Sequence, residues 1–149
     1  MFRTVLVPLD GSPFGEQALS HALGIVRRAG ATIDLVHVHV LYVLEEQIVA
    51  RYSYDPELDE EQRRQEQLYL EGTGKWLAAV SPVPVTAAVV NGLDAEGILQ
   101  RVQNGKADLI VMTTHGRGSL VQDQATFFLV LGGSLASTFC CRGSSCSHW

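Results

Sequence analysis

Three short stretches carry the residues able to do chemistry. Asp10-Gly11-Ser12 places a carboxylate and a hydroxyl directly after the apolar run Arg3 to Pro8. An acidic side chain at the end of a first strand can accept hydrogen bonds from ribose hydroxyls. The same two residues serve equally well to organise the turn and cap a helix, so spacing leaves both readings open. His37-Val38-His39 puts two imidazoles on one face of a strand at i, i+2. Such a pair can hold a metal, but a parallel sheet covers that face with helices, so no metal is assigned. The third stretch is Met112-Thr113-Thr114-His115-Gly116-Arg117-Gly118-Ser119. Its two glycines let a backbone come close to an anion, free N–H groups can cradle phosphate, and Arg117 can add a charge-assisted bond. It matches neither the Walker pattern nor the dinucleotide fingerprint, and an ordinary turn fits it as well. His115 reads as a source of backbone contacts or a hydrogen bond rather than as an acid–base group. No nucleophile–base pair or carboxylate dyad stands out, so no catalytic residue is assigned.

The elements around these stretches alternate. Arg3 to Pro8 is short, apolar and β-branched, suited to a strand buried on both faces. Ser12 and Pro13 then read as cap and first position of a helix with Glu16 in its first turn. Ala18, Leu19, Ala22, Leu23 and Val26 follow at helical spacing, and Gly30 ends it after Arg27-Arg28. Ile33 to Val40 reads as a second strand, followed by a long, partly ordered connection from Leu41 to Asp55. Glu57 to Val80 predicts one solvent-facing helix whose charge run is a solvated surface. Val85 to Val90 is a third strand, turned by Asn91-Gly92. Ala95, Ile98, Leu99 and Val102 mark an amphipathic helix, stopped at Asn104-Gly105, and Asp108 to Met112 is a fourth strand. Strands alternating with helices imply right-handed crossovers and an open parallel sheet with helices on both faces. Ligands then bind beyond the carboxyl ends of the strands.

The 149 residues suit one domain, able to bury roughly 68–70% of its unfolded surface. A net charge of −5 with no basic stripe argues against a nucleic-acid partner. The first residues lack the features of a signal peptide. Ala125 to Cys141 is apolar but is broken by Gly132, Gly133 and Ser134, and it is short for a span of roughly 20 residues. It reads as a buried helix, and the compartment as cytoplasmic, with no membrane partner.

Together, Val7-Pro8-Leu9-Asp10-Gly11-Ser12, Leu35-Val36-His37-Val38 and Ala107-Asp108-Leu109-Ile110-Val111-Met112-Thr113-Thr114-His115-Gly116-Arg117-Gly118 resemble the universal stress protein family. The resemblance covers about residues 2–120. It implies a Rossmann-like α/β fold with a five-stranded parallel sheet, a homodimer, and a stress-response or regulatory role. It also implies an adenine nucleotide such as ATP or AMP, with Mg accompanying ATP, and at most slow hydrolysis. By this resemblance Pro8, Leu9, Asp10, Ser12, Val38 and Met112 meet the adenine and ribose. Thr113, His115, Gly116, Arg117, Gly118 and Ser119 meet the phosphates. The family's phosphate pattern places glycine where Thr113 and Thr126 stand and a Ser or Thr where Phe127 stands. A Gly-Ser pair occurs seven residues late, at Gly133-Ser134. The adenosine half of the site thus matches while the triphosphate half departs. The alternative is a stress or regulatory scaffold that acts by protein contact without a nucleotide.

The match stops after Ser119, and residues 121–149 form an atypical tail. Cys140, Cys141 and Cys146, the only cysteines, fall there with His148 at a spacing that fits no zinc pattern. The tail reads as a divergent or out-of-frame end that has lost the family's last strand, with a reactive-thiol tail as the alternative. Nothing after Arg142 reads as a strand. The sheet is therefore expected to hold four strands of this chain, its fifth irregular or borrowed and its dimer edge altered.

Overall fold

The computed structural model describes residues 2–40, 43–46, 51–115, 124–130, 137–142 and 145–148. Four parallel strands form the heart of one sheet: β1 (Thr4–Pro8), β2 (Thr32–His39), β5 (Val85–Asn91) and β6 (Leu109–His115). Their order is β5-β2-β1-β6. Helices α1 (Pro13–Ala29) and α2 (Pro56–Val80) carry the chain outward from β1 through β2 to β5. Helix α3 (Asp94–Gly105) then returns it past β1 to β6. Right-handed crossovers in opposite directions must lie on opposite faces. The chain therefore reverses direction about β1, which opens a crevice at the carboxyl ends of β1 and β6.

The core follows the strand period. Val5, Val7, Ile33 and Leu35 pack with Ala18, Leu19, Ala22, Leu23 and Val26 of α1 and with Leu70 and Leu77 of α2. Leu6, Val36 and Ile110 face the other way, against Ile98 and Val102 of α3. Helix α1 starts as its residues dictate: Ser12 Oγ accepts from the Gly15 amide at 3.1 Å, and Gly30 closes the helix at φ 65°. Helix α3 runs through Gly105, with Lys106 taking the left-handed turn at φ 49°.

A carboxylate sits inside this core on the α3 side. Asp34 is 2% exposed on the α3 face of β2. It accepts two bonds from Arg101 of α3, Nε and Nη2 each at 2.8 Å, and one from Thr86 Oγ1 at 2.7 Å. This arrangement locks α3 onto the sheet under the crevice.

Three expectations need correction. Thr113 to His115, read as the start of a loop, extend β6 by pairing with β7 (Gln124–Val130). The segment Ala125 to Cys141, read as a buried helix, supplies antiparallel strands β7 and β8 (Ser137–Arg142). Beyond Arg142, where no strand was expected, β9 (Ser145–His148) pairs with β8. Among the described residues the sheet therefore has seven strands, and β7 takes the fifth place, antiparallel to β6. The reason is compositional. Gly132 and Gly133 interrupt a helix, while Thr126, Phe127, Phe128, Val130, Thr138 and Phe139 are β-branched or aromatic and favour pleated pairing. The long connection after β2 holds a hairpin, β3 (Val43–Glu46) with β4 (Arg51–Tyr54).

Candidate functional site

The crevice holds a cleft of about 280 Å³. Pro8, Leu9, Asp10, Ser12, Val38, Met112 and Thr113 line it, all anticipated from the sequence, and Phe14, Gly15, Val36, His37 and Ile98 complete it. Gly116, Arg117, Gly118, Ser119, Gly133 and Ser134 lie outside the described residues. His115 is placed at the end of β6, paired with Gln124.

The polar end of the cleft is built by the turn after β1. Ser12 donates to Asp10 Oδ1 twice, from its hydroxyl at 2.6 Å and its amide at 2.9 Å. The same serine oxygen caps α1, so the turn-forming role is fulfilled. Both bonds fall on Oδ1 and Asp10 is exposed, so the carboxylate keeps acceptor capacity for a ligand. Partial burial pulls the Asp10 carboxyl upward, but the Ser12 bonds, with a smaller pull from His37, outweigh it and hold the group below the usual carboxylate range. Asp10 is therefore ionised at neutral pH. The stability it adds is present above the unfolded carboxylate value and is lost as pH falls through the lowered one.

Gly15 belongs to the same device, and spacing gave no hint of it. A Cβ there would lie 2.6 Å from Asp10 Oδ1. The missing side chain is what lets the carboxylate fold back over the start of α1. Across the cleft, α3 presses on β2 through Gly97, where a Cβ would meet Val38 Cγ1 at 2.9 Å. That contact sets the position of the Val38 wall.

At Thr113 and Thr126 the chain departs from the family's phosphate pattern. Thr113 and Thr126, at the two positions where the pattern has glycine, are register partners in the β6–β7 pairing. Thr113 also donates its hydroxyl to the Phe14 carbonyl at 2.8 Å, tying β6 to the first turn of α1.

Behind the cleft, the charge run of α2 is not wholly a solvated surface. Asp59 and Glu66 turn inward onto the two histidines of β2. His39, 1% exposed, has Nδ1 2.7 Å from Glu66 Oε2 and Nε2 3.0 Å from Asp59 Oδ1. Tyr54 donates to Asp59 Oδ2 at 3.0 Å, which pushes the tyrosine hydroxyl up from its ordinary range. His37 Nε2 lies 3.4 Å from Glu66 Oε1. The helical cover expected over this face supplies carboxylates. The only sequence signal for this was the odd-numbered histidine pair, which needs polar partners once buried.

The universal stress protein family profile matches residues 1–123. A universal stress protein from Thermus aquaticus is 30% identical over 120 residues, 80% of this chain and 82% of that protein. One from Mycobacterium bovis is 32% identical over 116 residues, and the chain spans 37% of its length. Among solved structures, a family member from Burkholderia pseudomallei superposes with a TM-score of 0.62 at 27% identity, over 75% of this chain and 81% of that one. A universal stress protein in complex with cAMP gives 0.57 at 18% identity, over 74% and 75%. An Arabidopsis thaliana family protein with AMP bound gives 0.53 at 20%, over 79% and 80%. The profile match ends close to where the parallel sheet gives way to the antiparallel tail. With the strand order, the cleft at the reversal and the Asp10 turn all in place, the chain belongs to the universal stress protein family.

Proposed function

We propose that the cleft binds an adenine nucleotide by its adenosine moiety and that the protein is a regulatory, stress-response binding module. The observation that carries this reading is the ionised Asp10 beside a cleft walled by Leu9, Val38 and Met112. A carboxylate with spare acceptor capacity suits ribose hydroxyls, and apolar walls suit a purine ring. At about 280 Å³ the cleft sits near the lower end of the ~300–1,000 Å³ range of ligand pockets, the scale of a nucleoside rather than of a whole triphosphate. The solved relatives carrying cAMP and AMP support an adenine ligand. The loop residues Gly116, Arg117, Gly118 and Ser119 would meet the first phosphate, with His115 and Thr113 beside them. Gly133-Ser134 would add to the phosphate side, and Mg would arrive with ATP. A cytoplasmic homodimer with an altered C-terminal sheet edge belongs to the same reading. Among the described residues no helix is long and apolar enough to cross a membrane.

Isothermal calorimetry tests the assignment. Asp10→Ala should weaken AMP binding about tenfold to a hundredfold, the loss of one charge-assisted hydrogen bond. Its thermal midpoint should change little, because Ser12 still caps α1. Unchanged affinity would remove Asp10 from the site. Gly15→Ala should likewise weaken AMP by about fivefold or more while leaving the fold intact, since alanine favours a helix by roughly 0.5–1 kcal/mol over glycine. A Gly15→Ala protein that binds AMP normally would show that Asp10 need not fold back over α1.

The second reading is a scaffold that acts by protein contact alone. The pairing of Thr113 with Thr126, where the family pattern has glycine, favours it. It predicts no response to any adenine nucleotide.

A further inference from the structure

A line of polar groups runs from the surface to the cleft: Tyr54, Asp59, His39 and Glu66 joined by hydrogen bonds, then His37 at 3.4 Å from Glu66. Glu66 is its pivot, with one oxygen on each imidazole. His37 is the member that enters the cleft wall. Its Nδ1 is buried and has no hydrogen-bond partner among the described residues. Buried polar atoms are rarely left unpaired, and each exception calls for a reason.

The chemistry of Glu66 supplies one. An ionised carboxylate only accepts, so the proton of a neutral His37 ring belongs on Nε2, which lies 3.4 Å from Glu66 Oε1. Nδ1 is then an acceptor. His39 and Asp59 hold the Glu66 carboxylate in place from behind, as a carboxylate held by further bonds orients an imidazole elsewhere. We propose that His37 is a specificity-determining residue of the cleft. Its Nδ1, closed to solvent without a ligand, is opened to the cleft by a small rotation of the ring on binding and accepts a hydrogen bond from a donor on the ligand, and Glu66 is the positioning residue that fixes the ring's tautomer. This rests on the adenine-nucleotide reading. Two donors of that ligand qualify, the exocyclic amine of the base and a ribose hydroxyl. A base with a carbonyl at the amine position would set lone pair against lone pair.

The test combines calorimetry with ¹⁵N histidine spectra. The unaltered protein, His37→Phe, His37→Asn and Glu66→Gln are titrated with adenosine, purine riboside, 2′-deoxyadenosine and 3′-deoxyadenosine. One analogue that lacks the relevant donor should bind the unaltered protein about fivefold to tenfold more weakly, the scale of a neutral hydrogen bond. Which analogue does so tells amine from hydroxyl. His37→Phe should weaken adenosine by the same factor and no longer distinguish that analogue. His37→Asn, whose amide oxygen sits near the place of Nδ1, should restore the distinction. Glu66→Gln should reduce it and change the tautomer of His37. The spectra of the unaltered protein should show the Nε2–H tautomer, with the Nδ1 resonance moving when adenosine binds. An Nδ1–H tautomer, an Nδ1 signal blind to adenosine, or variants that rank the analogues as the unaltered protein does would each overturn the assignment while leaving adenine binding intact. No binding of adenosine or AMP to the unaltered protein would overturn both.

Discussion

His39→Leu is expected to destabilise the protein by about 3–5 kcal/mol, the cost of removing one partner from a buried charged group. The imidazole is 1% exposed and separates two carboxylates, each within 3.0 Å of a ring nitrogen. Each ring nitrogen thus has a carboxylate oxygen at hydrogen-bond distance, and the imidazole keeps the two acidic groups apart. Leucine fills similar space but leaves Asp59 and Glu66 facing one another across a dry gap. Urea unfolding measures it. A loss under about 1 kcal/mol would mean the three groups do not act as a unit. Because native domains hold only ~5–15 kcal/mol in total, the predicted loss is a large share of the whole.

Arg101→Met should cost about 3–5 kcal/mol for the same physical reason on the opposite face of the sheet. Asp34 is buried, and its guanidinium partner supplies two of its bonds at 2.8 Å. Those bonds push the already basic Arg101 further up. Methionine keeps the packing of the stem and removes the charge, leaving the carboxylate with Thr86. The double variant Asp34→Leu with Arg101→Met should recover most of the loss, since an apolar pair of similar volume often replaces a buried ion pair at little cost. A single variant as stable as the parent protein would show that Asp34 is satisfied without Arg101. The two substitutions act on opposite faces of β2, one at His39 and one against Asp34, and share no partner, so their effects should add.

These two clusters mark the boundary of what the sequence discloses. The four parallel strands, the helices between them and the Asp10 turn were legible because each rests on a local rule: an apolar run, a cap, a proline at the first helical position. Seven of the twelve residues around the cleft are named by the sequence, Leu9, Val38 and Met112 through the family resemblance rather than a local rule. The interior charges did not follow. Asp34 stands in an otherwise apolar strand, and Asp59 and Glu66 are two members of a polar helix start. Nothing local tells which acidic residues of α2 turn inward, because that depends on how α2 docks over His37 and His39. Gly15 was equally silent, since its role is a contact with Asp10 rather than a backbone angle. The tail misled for another reason. Its apolar stretch has helix length, and only long-range pairing with β6 decides for strands, as propensity yields to tertiary context. The family match stopped near residue 120 and the profile near 123, so the break in pattern was visible although the structure replacing it was not.

The most direct test of the central claim is calorimetric titration of the unaltered protein with adenosine, AMP, ADP and ATP. The claim is that the cleft reads adenosine and that the triphosphate side, with Thr113 paired to Thr126, adds little. The predicted result is saturable binding of adenosine and AMP, with ATP no more than about tenfold tighter, which is about 1.4 kcal/mol. Absence of heat with all four ligands at about millimolar concentration would contradict adenine binding altogether. ATP bound a thousandfold more tightly than adenosine would contradict the claim in the other direction, by placing the recognition on the phosphates.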